Sequence, residues 1–376
     1  MIGRRLLSSN TGSSSRLVFN AHENINKLLE QHDRSSYILG QYIPEPARNA
    51  FLAIRAFNIE IGKINNGGNN ANSIASKASM QLSSSLGVST GDMKFKFWSD
   101  LISKIFADPY KDQNIGEPIG ILLQDSLRND INLDIDCFHR FLQTRRNFIK
   151  SVNFNTVDNI CSYGEGTYSQ LNYLTQGALL SPGVSPSSIK LLEYSSLLQQ
   201  QVNDIAAHIG QATAICAMIL GCQFYGSSRN QVTLPIDLMT KFDLSQESLL
   251  RLTQGHIKDN QEIESIKEKL KSIVYETAIT ANDHILSAKS KLEKSKLEIK
   301  NIVNANQQDK LIQSQFKKWR KNIPDAIYVP YMLAIPTQLY LERLQKYDFD
   351  IFHPKMQQKE WKLPWRSFKS FYQRNL

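Results

Sequence analysis

The sequence predicts an all-α protein on two observations. Apolar residues recur at steps of three and four along several long segments, which is the spacing of one helical face, and no segment of useful length alternates between apolar and polar residues as a half-buried strand does. The clearest segment leads up to Gly226, and its apolar stripe consists of Leu198, Val202, Ile205, Ile209, Ala212, Cys216 and Ile219. Because the neighbouring faces are also rich in alanine, we expect this helix in the middle of the protein.

The composition suits one large core or two modest ones, because 41% of the 376 residues are hydrophobic. A net charge of +9 is compatible with acidic partners such as anionic lipid or RNA. Without a clustered patch a mildly basic surface is the simpler interpretation, and no nucleic-acid partner is expected. The four cysteines form no CxxC pair and are interpreted as small buried hydrophobes in a reducing compartment. No apolar run approaches the roughly 18 residues of a membrane span, so we expect a soluble or peripheral protein.

The first 20 residues differ from the rest of the chain. They contain Arg4, Arg5 and Arg16 among many serines, and the first acidic residue is Glu23. Arginine- and serine-rich, acid-poor N-termini are typical of mitochondrial presequences, and an ordinary disordered tail is the alternative. We therefore expect a presequence over residues 1–20 and a single helical domain over residues 21–376.

Two helices are expected at the start of this domain. The first covers residues 21–42, and the second starts at Pro46, which suits a first helical position, and ends near residue 64. One face of the second helix consists of Phe51, Ile54, Phe57 and Ile61. Residues 65–90 are rich in Asn, Ser and Gly and almost uncharged, so they offer too little apolar surface to fold and predict a flexible insertion.

Helical spacing resumes after Gly91, where Phe95, Trp98, Ile102 and Phe106 share a face. Further helices are expected over residues 121–129, 136–151 and 157–179. Between the first two of these, Asp130 and Asp134 have the DxxxD spacing of a metal motif, and Asp136 follows. No second acidic pair completes a metal site there, so capping of the next helix is the preferred interpretation.

The last third of the chain contains two expected helices and a distinctive tail. The helix over residues 262–304 carries a charged, solvated face, and Pro330 and Pro336 should break or kink the first half of the helix over residues 327–346. Residues 355–376 combine five large aromatic residues with six basic ones, and Glu360 is the only acid. Such a tail suits a membrane headgroup interface, or it packs its aromatic side chains on the core; the composition leaves both open.

Four segments together resemble the squalene and phytoene synthase family. YIPEPARNAFLAIRAFNIEIGKI resembles the helix of the first aspartate-rich motif, and CSYGEGTYSQLNYL resembles the helix that contains tyrosine and glycine. HIGQATAICAMILGCQFYGSSRNQVTLPIDL resembles the second aspartate-rich helix, and KYDFDIFHPKMQQ is similar to the C-terminal segment. The resemblance covers about residues 25–360 in the family's order and implies an isoprenoid synthase helical bundle around a central cavity.

The resemblance also indicates what this chain lacks. Active members hold Mg²⁺ and the substrate diphosphate with acidic residues four apart on two facing helices. The corresponding positions that line the expected cavity are Gly62, Lys63, Asn66, Ala217, Leu220, Gly221 and Tyr225. None of these is a carboxylate, and Lys63 puts a positive charge where a divalent cation would sit. The motif therefore implies no catalytic residues, no bound metal and no cofactor.

One branch of the family that lacks these acids acts in mitochondria as an assembly factor for respiratory complex I, and the segments AFNIEIGKI, HIGQATAI and FDIFHP are similar to it. The resemblance implies a non-catalytic protein on the matrix side of the inner membrane. Its expected partners are complex I subunits or other assembly factors, with peripheral contact to the membrane. A prenyl diphosphate-using transferase with degenerate metal motifs is the alternative, and a lipid carrier that uses only the cavity is a weaker one. Mg²⁺-dependent turnover of a prenyl diphosphate would favour the transferase.

Overall fold

The computed structural model describes residues 3–64, 89–111, 115–150 and 153–376, with side chains from residue 15 onwards. Within these ranges every regular element is helical, which confirms the expected fold class. The first half contains α1 Gly3–His32, α2 Arg34–Leu39, α3 Ala47–Gly62, α4 Thr90–Ala107, α5 Pro118–Arg128, α6 Ile135–Lys150, α7 Val157–Gly164 and α8 Gln170–Leu179. A π-helical segment, Glu165–Ser169, joins α7 to α8.

The second half continues with α9 Pro186–Tyr194, α10 Ser196–Arg229, α11 Ile236–Lys241, α12 Gln246–Thr253, α13 Asn260–Ala305, α14 Lys310–Phe316, α15 Asp325–Tyr328, α16 Ala334–Lys346 and α17 Leu363–Gln373. Among the described residues, four short 3₁₀ turns lie between elements, at Gly40–Tyr42, Arg320–Asn322, Val329–Leu333 and Pro354–Gln357. Pro330 lies in the third of these turns, so the helix expected over residues 327–346 is interrupted in its first half.

Side-chain caps explain several of the boundaries. The helix expected over residues 21–42 starts earlier and is interrupted: α1 begins at Gly3, and Asp33 starts a new helix by accepting a hydrogen bond from the Ser36 amide. The 3₁₀ turn that follows α2 ends at Tyr42, as expected. The Ser89 hydroxyl likewise accepts from the Asp92 amide at the start of α4. Asp134 accepts from the Asp136 amide at 2.9 Å, so the capping interpretation of this acid is confirmed. The insertion expected over residues 65–90 lies outside the described residues, apart from its last two.

The first-half helices meet around an aromatic cluster. The Phe57 ring of α3 lies 5.4 Å from the rings of Trp98 on α4 and of Phe138 and Phe141 on α6. All four side chains are buried, and the two near-perpendicular pairs have the edge-to-face geometry that aromatic rings prefer. The helical spacing that predicted Phe57 and Trp98 as core residues is therefore confirmed.

Helix α10 is the centre of the bundle. It packs most extensively against α13 and also contacts α7, α8, α12, α16 and the π-helical segment. The seven residues of its predicted stripe are all buried. By length and mean hydropathy this helix could cross a membrane, so the expectation that no segment approaches that limit is wrong. However, 61% of its most apolar stretch is buried inside the bundle. It is the core helix on which the other elements assemble.

Glycine allows α10 to approach the π-helical segment closely. A Cβ atom at Gly210 would overlap the backbone nitrogen and Cα of Ser169, and one at Gly164 would lie 2.9 Å from the Gln211 Cα. Backbone atoms cannot move aside as a flexible side chain can, so these positions tolerate no side chain without displacing a helix.

Two histidines connect α10 with α13. The Nδ1 atoms of His208 and His284 lie 2.9 Å apart, and the Cys161 sulfur lies 3.5 Å from His284 Nε2. Burial lowers the pKa of both imidazoles from the ordinary value of 6.5, and for His208 the proximity of His284 and Lys291 lowers it further. The N–H···N bond needs one neutral acceptor nitrogen, so protonation of both rings removes it.

The C-terminal helix α17 is anchored through one face. Its buried residues are Leu363, Ser367 and Ser370, and Arg374, the residue that follows the helix, is buried as well. The Tyr328 hydroxyl lies 2.9 Å from the carbonyl oxygens of Ser370 and of Asn375, and the Arg374 guanidinium pairs with Asp325. Of the five tail aromatics, only Phe371 is not exposed; it packs against Tyr42 with 5.0 Å between ring centroids. The tail is thus fixed to the core, while its other four aromatic side chains face solvent.

We expect Gly210→Ala to lower the free energy of unfolding by about 1–3 kcal/mol or more, since its methyl group would overlap a backbone. Gly62→Ala is the matched control, because no atom lies within 4 Å of the added Cβ at this helix end, and it should leave stability unchanged or raise it by up to about 1 kcal/mol. Urea unfolding followed by circular dichroism measures both. Equal effects at the two glycines would contradict the close approach of the helices.

The histidine pair predicts a pH-dependent stability. Because the folded-state pKa values lie below the unfolded value, the unfolded chain binds more protons, and the free energy of unfolding should fall as the pH decreases below about 6.5. Replacing either ring, as His208→Gln or His284→Gln, should make this dependence shallower. Urea unfolding at a series of pH values tests this, and an unchanged slope in both variants would show that the pair does not contribute.

Candidate functional site

The first motif helix, α3, ends at the positions where the family resemblance expects acids. Gly62 is exposed at the last residue of the helix, and Lys63 follows it. The Lys63 ammonium forms an ion pair with Glu60 on its own helix, at 2.7 Å. This charge is therefore offset locally. Asn66 lies outside the described residues.

The second motif helix, α10, carries the remaining positions over its last turns. Ala217, Gly221 and Tyr225 are half-buried, whereas Leu220 is 59% exposed. The Tyr225 ring leans along its own helix, 3.0 Å from where a Cβ of Gly221 would lie, and packs edge-on against Phe148 of α6 with centroids 6.0 Å apart. Tyr225 thus links the end of α10 to α6.

A buried arginine occupies the space between the two motif helices. Arg145 of α6 is 8% exposed, and its Nη2 donates to the Asn58 side-chain oxygen, one turn before Gly62, at 3.1 Å. Its guanidinium carbon lies 5.4 Å, 5.6 Å and 5.7 Å from the ring centroids of Phe141, Tyr163 and Tyr168. Aromatic faces attract such a cation strongly once it is removed from water, and they stabilise a charge that has no carboxylate partner among the described residues.

The π-helical segment brings the two tyrosines to this arginine. In an α-helix, residues five apart are separated by roughly 140° around the axis and do not share a face. The wider turn at Glu165–Ser169 puts Tyr163 and Tyr168 on the same side, so that both rings contact Arg145. Burial raises the pKa of Tyr163, which keeps its hydroxyl neutral. Its oxygen and Arg145 Nε have no hydrogen-bond partner in the described structure.

A second arginine lies on the other side of Tyr225. The Arg229 guanidinium carbon is 5.0 Å from the Tyr225 ring centroid and 5.4 Å from that of Phe224. Burial raises the pKa of Tyr225, and the positive charges of Arg145 and Arg229 oppose this rise. The end of α10 is therefore surrounded by cations and neutral rings.

These residues do not suit Mg²⁺. The ion prefers carboxylate oxygens in octahedral geometry, whereas the motif positions described here offer glycine, alanine, leucine, lysine and tyrosine, with a guanidinium close by. Within the described residues, no group of three or more His, Cys, Asp or Glu side chains is arranged to share a metal ion. The described side chains around Arg145 are an amide and aromatic rings, which stabilise a cation and are not the ligands that Mg²⁺ prefers.

Sequence reasoning did not identify Asn58, Arg145, Tyr163 or Tyr168 as site residues. Arg145 shares the helical face of Phe138, Phe141 and Phe148 on α6, whereas the side chain of Arg146 is half-exposed. This register with the apolar face was the signal in the sequence that could have identified Arg145. In an ordinary α-helix, residues five apart lie on different faces, so the spacing of Tyr163 and Tyr168 does not predict that they share a site. Only the wider π-helical turn puts them on one side.

The all-helical bundle, with two motif helices on either side of a buried core, defines the class of helical isoprenoid synthase folds. Within that class the chain belongs to the squalene/phytoene synthase family, whose model matches residues 29–368.

Relatives with curated names are similar over most of this chain. The protein named NADH dehydrogenase (ubiquinone) complex I, assembly factor 6, from Bos taurus is 24% identical over 338 residues, which cover 90% of this chain and 78% of that protein. The Homo sapiens protein of that name is 23% identical over the same shares. A homolog from Dictyostelium discoideum is 25% identical over 93% of this chain and 78% of its own length.

Solved structures of synthases have the same fold. A dehydrosqualene synthase in complex with ligand superposes with a TM-score of 0.56 at 10% identity, covering 95% of this chain and 99% of that one. Squalene synthase HpnC from Alicyclobacillus acidocaldarius gives a TM-score of 0.57 at 9% identity, covering 89% and 96%. At this level of identity the similarity establishes the fold alone.

The buried arginine predicts a specific stability effect. Arg145→Lys keeps the charge but loses the planar group that lies against the aromatic rings, so we expect a loss of about 1–3 kcal/mol in the free energy of unfolding. Arg140→Lys, on an exposed position of the same helix, is the matched control and should change stability by no more than about 0.5 kcal/mol. Urea unfolding measures both variants. Equal effects would show that the guanidinium of Arg145 does not stabilise the fold through the aromatic rings.

Proposed function

We propose that this protein is an assembly factor for mitochondrial respiratory complex I that acts by binding and not by catalysis. The observation that carries the proposal is the similarity, over 90% or more of the chain, to animal and amoebal proteins named as assembly factor 6 of that complex. The motif positions support it, because glycine, lysine, alanine, leucine and tyrosine stand where a Mg²⁺-diphosphate site requires carboxylates.

In this proposal the interior side chains stabilise the bundle, and the surface binds the partner proteins. The Arg145 charge is held by side chains of the chain itself, through Asn58 and three aromatic rings. The partners are complex I subunits or other assembly factors. They would contact the exposed parts of the helices, which include Gly62 and Lys63 at the end of α3 and Leu220 on α10.

The proposed location is the matrix side of the mitochondrial inner membrane, with peripheral attachment. Residues 1–20 act as the presequence in this proposal, on the strength of their arginines, serines and missing acids. Leu17 and Phe19, at the end of that stretch, are exposed and so contribute little to the core. The membrane contact is supported by the basic and aromatic tail.

The alternative is a transferase that acts on a prenyl diphosphate without the usual metal clusters. The fold and the positive charge of Arg145 and Arg229 favour it, since guanidinium groups bind phosphates well. Against it, Arg145 is engaged by Asn58 and three rings, and the developing diphosphate charge would have no metal to stabilise it.

The direct test is deletion of the gene in its native cells, with complex I measured by native gel. We expect loss of assembled complex I and its restoration by the intact protein. A second arm incubates the purified protein with farnesyl or geranylgeranyl diphosphate, with and without Mg²⁺, and we expect no diphosphate release. Normal complex I after deletion would refute the assembly role, and Mg²⁺-dependent turnover would establish the transferase.

A version lacking residues 1–20 serves as the location control in the same cells. If these residues are the presequence, the shortened protein should fold but fail to enter mitochondria and fail to restore complex I. Restoration by the shortened protein would show that import uses another signal, while the assembly role itself would stand.

A further inference from the structure

A row of aromatic side chains lies on the outward face of α17. Trp361 precedes the helix, and Trp365, Phe368 and Tyr372 follow at spacings of three or four, on the side opposite the buried residues. Trp361 is 79% exposed and Trp365 68%, and the other two are exposed over nearly half their surface. The rings of Trp365 and Phe368 are stacked at 5.9 Å and 20°, and Phe368 lies 4.5 Å from Tyr372. Core packing does not account for this row, because its members point away from the core.

A pocket of lysines adjoins the row at Trp361. A cavity of about 110 Å³ lies between α16 and the segment that leads into α17. Four exposed lysines border it: Lys346, Lys355, Lys359 and Lys362. The ammonium nitrogens of Lys346 and Lys355 lie 5.5 Å and 5.9 Å from the ring centroid of Tyr347, which holds them on one side of the cavity.

The acids of this cavity are already occupied. Glu360 pairs with Arg343, and Glu342 accepts from Arg366 at 2.8 Å. Within the described residues none of the four lysines forms an ion pair. The pocket thus presents several uncompensated ammonium groups next to an exposed indole, with an anion-sized space between them.

From this juxtaposition we infer that the outward face of α17 and the lysine pocket together dock on an anionic phospholipid bilayer, with a lipid phosphate in the pocket. The inference rests on the proposed peripheral location and names the surface and the ligand. Tryptophan and tyrosine rings, apolar with a polar tip, partition to the headgroup level of a membrane. Lysines attract anionic lipids as point charges, over a distance limited by the Debye length. The buried face of α17 keeps the row rigid, so little ordering is required on binding.

An acidic protein surface is the other class of partner with matching charge. The bilayer is favoured because Trp365, Phe368 and Tyr372 form a continuous strip along α17, parallel to its axis, as in helices that lie in the membrane interface. A protein interface of comparable affinity would instead concentrate its anchors in a pocket.

Sedimentation of the intact chain with vesicles tests the inference. One set of vesicles is phosphatidylcholine, and the other contains equal parts of phosphatidylcholine and phosphatidylserine. We expect binding to the second set that weakens as salt is raised. Replacing the four pocket lysines by glutamine should reduce it about a hundredfold or more, since each contributes about fivefold. Trp361→Ser with Trp365→Ser should weaken binding at all salt concentrations.

A matched variant controls for net charge alone. It replaces four exposed lysines elsewhere on the protein by glutamine: Lys94, Lys104, Lys258 and Lys300. The control should keep at least a tenfold advantage over the pocket variant in vesicle affinity. All variants change exposed side chains, and equal melting temperatures verify that they fold. Equal affinity of pocket and control variants would overturn the pocket, and no binding of the intact chain to anionic vesicles would overturn the whole inference.

The complex I measurement separates this inference from the function on which it rests. If the intact chain restores complex I but does not bind vesicles, the membrane-docking inference is refuted and the assembly role is unaffected. If the pocket variant then also failed to restore complex I, the face would bind an acidic protein in place of lipid. Vesicle binding by a chain that never restores complex I would refute the assembly role alone.

Discussion

Helix α10 is apolar on nearly all of its faces, and the rest of the bundle is arranged to remove those faces from water. A helix at the surface packs on the core through one face. Helix α10 is instead covered on several faces, by α7, α8, α12, α13, α16 and the π-helical segment. Contact on so many sides requires short distances between axes, and Gly164 and Gly210 provide them where α10 meets the π-helical segment. The position of that segment in turn decides where Tyr163 and Tyr168 lie, so the packing of the core helix determines the chemistry of the site.

The site shows how a fold can keep the architecture of a synthase with different interior chemistry. A charge buried without a counter-ion is costly, and Arg145 is stabilised by an amide oxygen and by the faces of three rings. A Mg²⁺ cluster needs the opposite arrangement, in which carboxylates converge and cations are supplied from solution. The same space cannot satisfy both requirements. The interior therefore supports a role in which the bundle is a stable scaffold.

The C-terminal helix combines attachment to the core with a row of exposed side chains. Serine, leucine and arginine side chains fix one face of α17 to Tyr328 and Asp325, while the opposite face carries large rings next to unpaired lysines. Attachment to the core and exposure of the aromatic rings use opposite sides of the same 11-residue helix. Of the two interpretations of the tail that the composition left open, packing on the core is correct for one face of the tail. Contact with a membrane stays a prediction for the four aromatic residues on the exposed face.

The sequence by itself determined the all-helical class, the main core helices and the residue types at the motif positions. Helical spacing identified the core faces of α3, α4 and α10, because periodicity is a local property that burial then confirms. Composition marked the tail as unusual. Only the tertiary structure decided that Arg145 meets Asn58, 87 residues away, that a π-helical turn aligns two tyrosines, and which side of α17 faces solvent. These depend on contacts between segments distant in the chain, and no local pattern encodes the partner of a side chain that long-range packing selects.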